Sequence, residues 1–432
     1  MKRYESYKDS GVQWIGEIPS HWGMVKLKYD FSIYAGATPK TEIADYWDGN
    51  IVWITPADYK SEDKFISQGQ RSISKKGYDS CNTQLVPKGS LVFSKRAPIG
   101  TVAISETELC TNQGCLSCVP KNVNTLFFYY LTSVFTEEFD LLGSGATFKE
   151  ISANDFSNVK LTLPPLEEQK AIAEWLDVKC EEIDRLIATQ QRRIELLQEL
   201  RQSIITRAVT RGINPDVPLR DSGIDWIGQI PAHWSDLRLR FVCELRNGYT
   251  PSKANPDFWE NGVIPWYRME DIRESGRKLN AAKQYITEEA VKGGGLFEAG
   301  SFILATTATI GEHALLIVDS LANQRFTNLK IRKSLNEALC QDYFFYYLFV
   351  IDEYCKTTTR TATFPAVNME DLKNFHVVFP PYSEQREIVT HIERETGKVD
   401  HALQQAERQI ELLQELRQSV ITEVVTGKRK VC

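Results

Sequence analysis

The sequence contains no G-x-x-x-x-G-K-[ST] string, so an ordinary nucleotide-driven motor is excluded. It has no Gly-x-Gly-x-x-Gly between strand and helix; Gly143-Ser-Gly145 lacks the third glycine and the setting. No apolar run approaches the roughly 20 residues of a membrane span. The polar start, Met1 to Asp9, has no apolar signal segment, and a cytoplasmic location is expected. Histidine is scarce, with 6 residues, and a surplus of positive charge is missing: the net charge is −6. An overall basic footprint for nucleic acid is therefore absent, although clustering on one face is not excluded.

The 9 cysteines do not make a metal site. Cys115-Leu-Ser-Cys118, with Cys110 nearby, lacks the second ligand pair that zinc needs, and the next cysteine is Cys180. Unpaired thiols in a reducing compartment account for them. Glu168-Gln-Lys170 has a nuclease-like appearance, but its later copy, Glu384-Gln-Arg386, has lost the lysine. Phe379-Pro-Pro-Tyr382 has phenylalanine where an amino-methyltransferase needs a polar residue. His21 and His233 have no catalytic set in common. No metal, cofactor or catalytic residue is expected.

What is present, twice, is the decapeptide Ile-Glu-Leu-Leu-Gln-Glu-Leu-Arg-Gln-Ser, at 194–203 and again at 410–419. It belongs to a longer duplication. Asp9-Ser-Gly-Val-Gln-Trp-Ile-Gly16 returns as Asp221-Ser-Gly-Ile-Asp-Trp-Ile-Gly228, and Pro19-Ser-His-Trp22 as Pro231-Ala-His-Trp234. Gly36, Thr38 and Pro39 match Gly248, Thr250 and Pro251; Asn112-Gln113 matches Asn323-Gln324; Ala146-Thr-Phe148 matches Ala362-Thr-Phe364. The period exceeds that of a solenoid repeat, so the pattern is a tandem domain duplication.

Each copy has two sections. The first, 1–163 and 213–379, alternates short β-branched and aromatic runs with Gly, Pro, Asn and Asp, as strand-rich α+β domains do. Helices are predicted at Leu126–Thr136 and Asp342–Tyr354. The stretch Tyr59–Asp79 has little counterpart in Arg273–Gly295. The second section, 164–212 and 380–432, opens on Pro-Pro and continues as a long helix. Apolar residues follow at 3–4 spacing: Ile172, Leu176, Ile183, Leu186, Leu197, Leu200 and Ile204, then Ile388, Ile392, Val399, Ala402, Leu413, Leu416 and Val420. About 40 residues at 1.5 Å each give a rod of about 60 Å. A seam of that length calls for a partner helix, and the two rods are expected to pair as a coiled coil. Their relative direction is open. The fold class expected is α+β: a duplicated mixed α/β domain, each copy followed by a long helix.

The Asp-Ser-Gly-x-x-Trp-Ile-Gly-x-Ile-Pro-x-His-Trp openings, the Pro-Pro-x-x-Glu-Gln helix starts and the Glu-Leu-Leu-Gln-Glu-Leu-Arg helices together resemble the specificity (S) subunits of type I restriction-modification enzymes. The resemblance covers the whole chain. It implies two target recognition domains, each reading one half of a bipartite double-stranded DNA sequence. It also implies that the helices act as spacer and bind two methyltransferase (M) subunits. Restriction (R) subunits would join through that core of two M subunits and one S subunit. The S subunit itself catalyses nothing. Two other readings stand beside it: a DNA adenine methyltransferase with fused recognition domains, and a coiled-coil scaffold that does not bind DNA.

Candidate DNA contacts are the basic residues of the divergent loops, because cations clamp phosphates and reach base edges. In the first copy these are Lys40, Lys75, Lys76, Lys95, Arg96 and Lys149; in the second, Lys253, Arg268, Arg273, Arg277, Lys278, Arg325 and Arg360. Subunit docking and helix pairing are expected at Ile194, Leu197, Leu200, Arg201 and Ile204, and at Ile410, Leu413, Leu416, Arg417 and Val420.

Overall fold

In a computed structural model of the chain, residues 3–96, 98–144, 149–224, 227–307, 309–359 and 366–431 are described. The Ala146–Phe148 and Ala362–Phe364 motifs and Arg360 lie outside them. The chain forms two compact units, 1–191 with 408–432, and 192–407.

The first unit contains a five-stranded sheet in the order Phe31–Ala35, Cys115–Pro120, Leu91–Ser94, Val102–Ser105, Phe65–Ile66. Its second sheet runs Leu109–Thr111, Trp47–Ile54, Arg71–Ile73. The second unit repeats both topologies. Its five strands are Cys243–Asn247, Phe326–Ile331, Phe302–Ala305, His313–Leu316 and Lys278–Leu279; its three are Leu321–Ala322, Ile264–Tyr267 and Tyr285–Ile286. The same edge pairings are parallel in both units. Buried strands such as Leu-Val-Phe-Ser at 91–94 and Phe-Ile-Leu-Ala at 302–305 are apolar on both faces because helices cover one side and the smaller sheet the other. Cys115 and Cys118 lie inside this core with no partner thiol; burial pushes the Cys115 thiol up to about 12.

The helix expected at Leu126–Thr136 is observed as Thr125–Ser133 followed by Thr136–Leu142. Asn124 caps its first turn, accepting from the Phe127 amide at 2.9 Å. Its counterpart is longer than expected, a single helix Gln341–Thr359.

The long helices are Leu166–Arg211 and Tyr382–Val425. Each unit contains half of both, running antiparallel, which settles the direction left open by the sequence. In the first unit, Ile172, Leu176 and Cys180 share a core with Val420, Ile421, Val424 and Val425, and Asp184 pairs with Arg417 at 2.9 Å. In the second, Ile205, Ala208 and Val209 share a core with Ile388, Val389 and Ile392, and Arg201 pairs with Asp400 at 2.9 Å. Arg201 and Arg417 occupy the same position of the repeated decapeptide, so its arginine has an intrachain partner each time.

Part of the expected seam is not buried. Leu186, Leu200 and Leu416 are 51%, 49% and 47% exposed, and Leu196 and Leu412 are 49% and 47% exposed. A spacing of 3–4 defines a stripe without fixing how much of it is covered: Ile183, Val399 and Ala406 are buried, but these leucines are not. Leu197 and Leu413 are half-buried, whereas Ile205 and Ile421 are 0% and 1% exposed.

Candidate nucleic-acid interface

In each unit the sheet-bearing part is held to the helices by one repeated device. In the first unit, Glu168 of the first helical turn accepts from Tyr4 at 2.5 Å and meets His21 Nε2 at 2.9 Å. In the second, Glu384 meets His233 Nε2 at 2.7 Å and accepts from Trp234 Nε1 at 3.2 Å. The glycine ending the other helix lands on the same turn. Gly427, at φ +74°, packs against Pro19 and Trp22; Gly212, at φ +75°, packs against Trp234 and Pro231. The positive φ is one glycine adopts without strain, and Pro19 leaves no room for a side chain at 427.

The glutamine after each glutamate is buried. Gln169 Oε1 accepts from the Asn124 amide at 2.9 Å and its Nε2 donates to the Pro164 carbonyl at 2.9 Å. Gln385 Oε1 accepts from the Cys340 amide at 2.7 Å, and its Nε2 donates to the carbonyls of Ala338 at 2.6 Å and Pro380 at 2.8 Å. Thus Pro-Pro-x-x-Glu-Gln is a structural joint, and His21 and His233 are its members.

On this frame, three backbone segments converge in each unit. In the first, the Lys95 amide donates to the Gly114 carbonyl at 2.9 Å and the Ile151 amide to the Lys95 carbonyl at 3.0 Å. In the second, the Thr306 amide donates to the Arg325 carbonyl and the Val367 amide to the Thr306 carbonyl, both at 2.9 Å. The backbone is the same and the chemistry differs. Lys95-Arg96 corresponds to Thr306-Thr307, and Gly114 to Arg325.

In the first unit Lys95 Nζ and Arg96 Nε each reach Glu150 at 2.6 Å, and Lys149 pairs with Asp140 at 2.5 Å. Burial alone would raise the Glu150 carboxyl, but the hydrogen bonds from Lys95 and Arg96 hold it below its usual value. Two sequence-predicted residues, Lys95 and Arg96, therefore share one carboxylate, and Lys149 is the residue just before it in the chain. Lys40, Lys75 and Lys76 form a separate group around two short helical turns. There Lys76 pairs with Asp45 at 3.0 Å, Lys75 with Asp79 at 2.8 Å, and the Lys40 carbonyl accepts from Trp47 Nε1 at 3.3 Å.

In the second unit Arg325 is exposed at the convergent loop and Lys253 is exposed in the loop beyond Thr250. Arg268 pairs with Glu270 at 3.2 Å, and Arg273 reaches Glu312 at 3.9 Å. Lys278 lies 5.9 Å from the Phe345 ring centroid. Arg277 is engaged internally: its Nη1 donates to Asp352 at 3.0 Å and to the His313 carbonyl at 3.1 Å, and its guanidinium stacks over Phe349 at 4.7 Å. His313 and Asp352 are 0% and 4% exposed at their side chains. Burial lowers the His313 pKa against the pull of Asp352.

Sequence reasoning overlooked two exposed neutral residues on the same loops, Gln113 and Gln324. Each accepts a hydrogen bond from a threonine hydroxyl, Thr38 and Thr250 respectively. The signal was available, since all four are matched between the copies, but they served only as markers of the duplication. Among the described residues no cluster of three or more His, Cys, Asp or Glu could hold a metal, and no helix is long and apolar enough to cross a membrane.

The family described as type I restriction modification DNA specificity domain matches residues 19–198 and again 231–412. The chain is 27% identical over 440 residues to the MjaIX type I restriction enzyme specificity subunit of Methanocaldococcus jannaschii, covering 96% of this chain and 95% of that one. It is 49% identical over 144 residues to the EcoprrI specificity subunit of Escherichia coli, covering 33% of this chain and 36% of that one. A chain solved in work on complex assembly and conformational transition of the type I R-M system superposes with a TM-score of 0.70 at 17% identity, covering 94% and 98%. The HsdS subunit of Thermoanaerobacter tengcongensis gives 0.52 at 17% identity, covering 95% and 98%. With both halves matched by the family and the same two-sheet frame built twice, the chain belongs to the type I restriction-modification DNA specificity family, a specificity subunit with two tandem recognition domains.

Proposed function

We propose that the two recognition domains, 1–163 and 213–379, each read one half of a bipartite target on double-stranded DNA. In this reading the long helices, 164–212 and 380–432, set the separation of the halves and dock two methyltransferase subunits. Restriction subunits join that assembly, and the complex works in the cytoplasm, where its DNA is. The observation that carries the reading is the contrast between the two kinds of repeat. One backbone frame bears Lys95, Arg96 and Gly114 in the first half and Thr306, Thr307 and Arg325 in the second, while the decapeptide is the same in both helices. Different base edges demand different side chains, whereas two copies of one partner demand the same surface. The exposed pairs Leu196/Leu200 and Leu412/Leu416 suit such docking, because i,i+4 leucines form one apolar strip on a helix.

Expressing the chain with its methyltransferase subunit and mapping methylated positions across the host DNA tests this. The expected outcome is a split motif with two fixed halves. Alanine at Lys95 and Arg96 should alter only one half, and alanine at Arg325 only the other. A contiguous motif, or unchanged selectivity in both variants, would overturn the reading.

A further inference from the structure

The Thr38–Gln113 and Thr250–Gln324 pairs are the same in two domains whose neighbouring side chains differ. Each is built with care. The Trp53 and Trp266 indoles donate to the carbonyls of Ala37 and Tyr249 at 3.0 and 2.9 Å, fixing the loop segment that carries the threonine. Gly36 and Gly248 let that segment press onto the glutamine loop, since a Cβ at either would overlap the carbonyl oxygens of 111–112 or 322–323. Asn112 and Asn323 fold the loop tip by accepting from the amides of Gly114 at 2.8 Å and Arg325 at 2.9 Å. The half-buried threonine hydroxyl then donates to the glutamine Oε1. The same exposed amide also carries an Nε2 donor, on the residue just before Gly114 in the first half and Arg325 in the second.

We propose that these pairs are two copies of a clamp on the DNA sugar-phosphate backbone, fixing register in both half-sites. The inference rests on the DNA-specificity reading. Two domains that read different bases share only one ligand feature, the backbone, so side chains common to both suit phosphate oxygens, and those that differ suit base edges. A loop staple alone needs no exposed donor.

The test uses the full chain in complex with its methyltransferase subunit and a pool of random-sequence duplex DNA. In Gln113→Glu and Gln324→Glu the carboxylate still accepts from threonine, so the staple persists, but the donors are lost and a negative charge faces phosphate. Each variant should keep the wild-type melting temperature and weaken binding to the pool about tenfold or more, in line with a hydrogen bond to a charged group. The sequence preference of the bound fraction should stay the same. Should either fail to fold, Gln113→Met and Gln324→Met drop the donors without charge and carry the same expectation. Unchanged affinity would reduce the pair to a staple, and a preference shifted in one half would make it a base reader; either overturns the clamp. Wild-type protein that binds the pool without any sequence preference would instead sink the specificity reading, whatever the variants do.

Discussion

Gln385 offers the sharpest test of how a recognition domain is joined to its helix. Its side chain is fully buried and makes three hydrogen bonds, to the Cys340 amide and to the carbonyls of Ala338 and Pro380. Replacing it by alanine leaves three backbone groups without their partner. A typical bond contributes about 1 kcal/mol net, and an unpaired buried group costs about 1–3 kcal/mol, so Gln385→Ala should destabilise the second unit by roughly 3–5 kcal/mol. Gln169→Ala, which loses two such bonds, should cost the first unit roughly 2–4 kcal/mol. Against a total stability of about 5–15 kcal/mol this is large. Because a chain of two units need not unfold in one step, native-state hydrogen exchange is the suitable assay. Amides of 341–359 and 376–379 should lose protection in Gln385→Ala while those of 125–133 keep theirs. A loss below about 0.5 kcal/mol, the level of an ordinary surface substitution, would refute the idea that this glutamine joins helix to domain.

Other outcomes follow from the same geometry. Ile205→Ala and Ile421→Ala should each cost about 2–5 kcal/mol by urea denaturation, and Leu200→Ala and Leu416→Ala well under half of that; equal losses would place all four in a dry seam. A double-mutant cycle on Arg201 and Asp400, a part-exposed pair, should give no more than about 1 kcal/mol of coupling. His313 has its folded pKa depressed by burial, so its neutral form is favoured in the fold. Its contribution is complete above the unfolded value of about 6.5 and is lost as pH falls from there toward the folded value; exchange of the 313–316 amides should report this, and His313→Asn should abolish that part of the pH dependence. Glu150→Gln frees Lys95 and Arg96 of their shared anion, so binding to random duplex DNA should tighten and grow more salt-dependent; weaker binding would contradict an anion that restrains the cluster.

The duplication made the architecture legible. Once Pro19–Trp22 and Pro231–Trp234 were aligned, the helix starts at Pro164-Pro165 and Pro380-Pro381 and the terminal glycines followed, but not the interleaved units, which divide each long helix between them. The antiparallel course was hidden, because Asp184 and Arg417 are 233 residues apart and one helix's spacing says nothing about its partner's direction. Nor does spacing tell a covered position from an open one, and Leu200 and Leu416 stay about half exposed. In the site, counting cations found Lys95, Arg96 and Lys149 but could not see that Glu150 binds two of them, or that Asp352, 75 residues away, takes up Arg277. Charge was the search criterion, so the neutral Gln113 and Gln324 passed unnoticed although the alignment had already paired them.

The interleaving of the helices has a consequence for synthesis. The second unit is one continuous segment, 192–407, and can close as soon as it is made. The first cannot, because Val420, Ile421, Val424 and Val425 complete the core that Ile172 and Leu176 begin. At the usual 5–20 residues per second, the ribosome delivers that missing edge roughly 10–45 s after residue 191. Through that interval the nascent N-terminal half carries an uncovered apolar groove. The half made first is the half finished last.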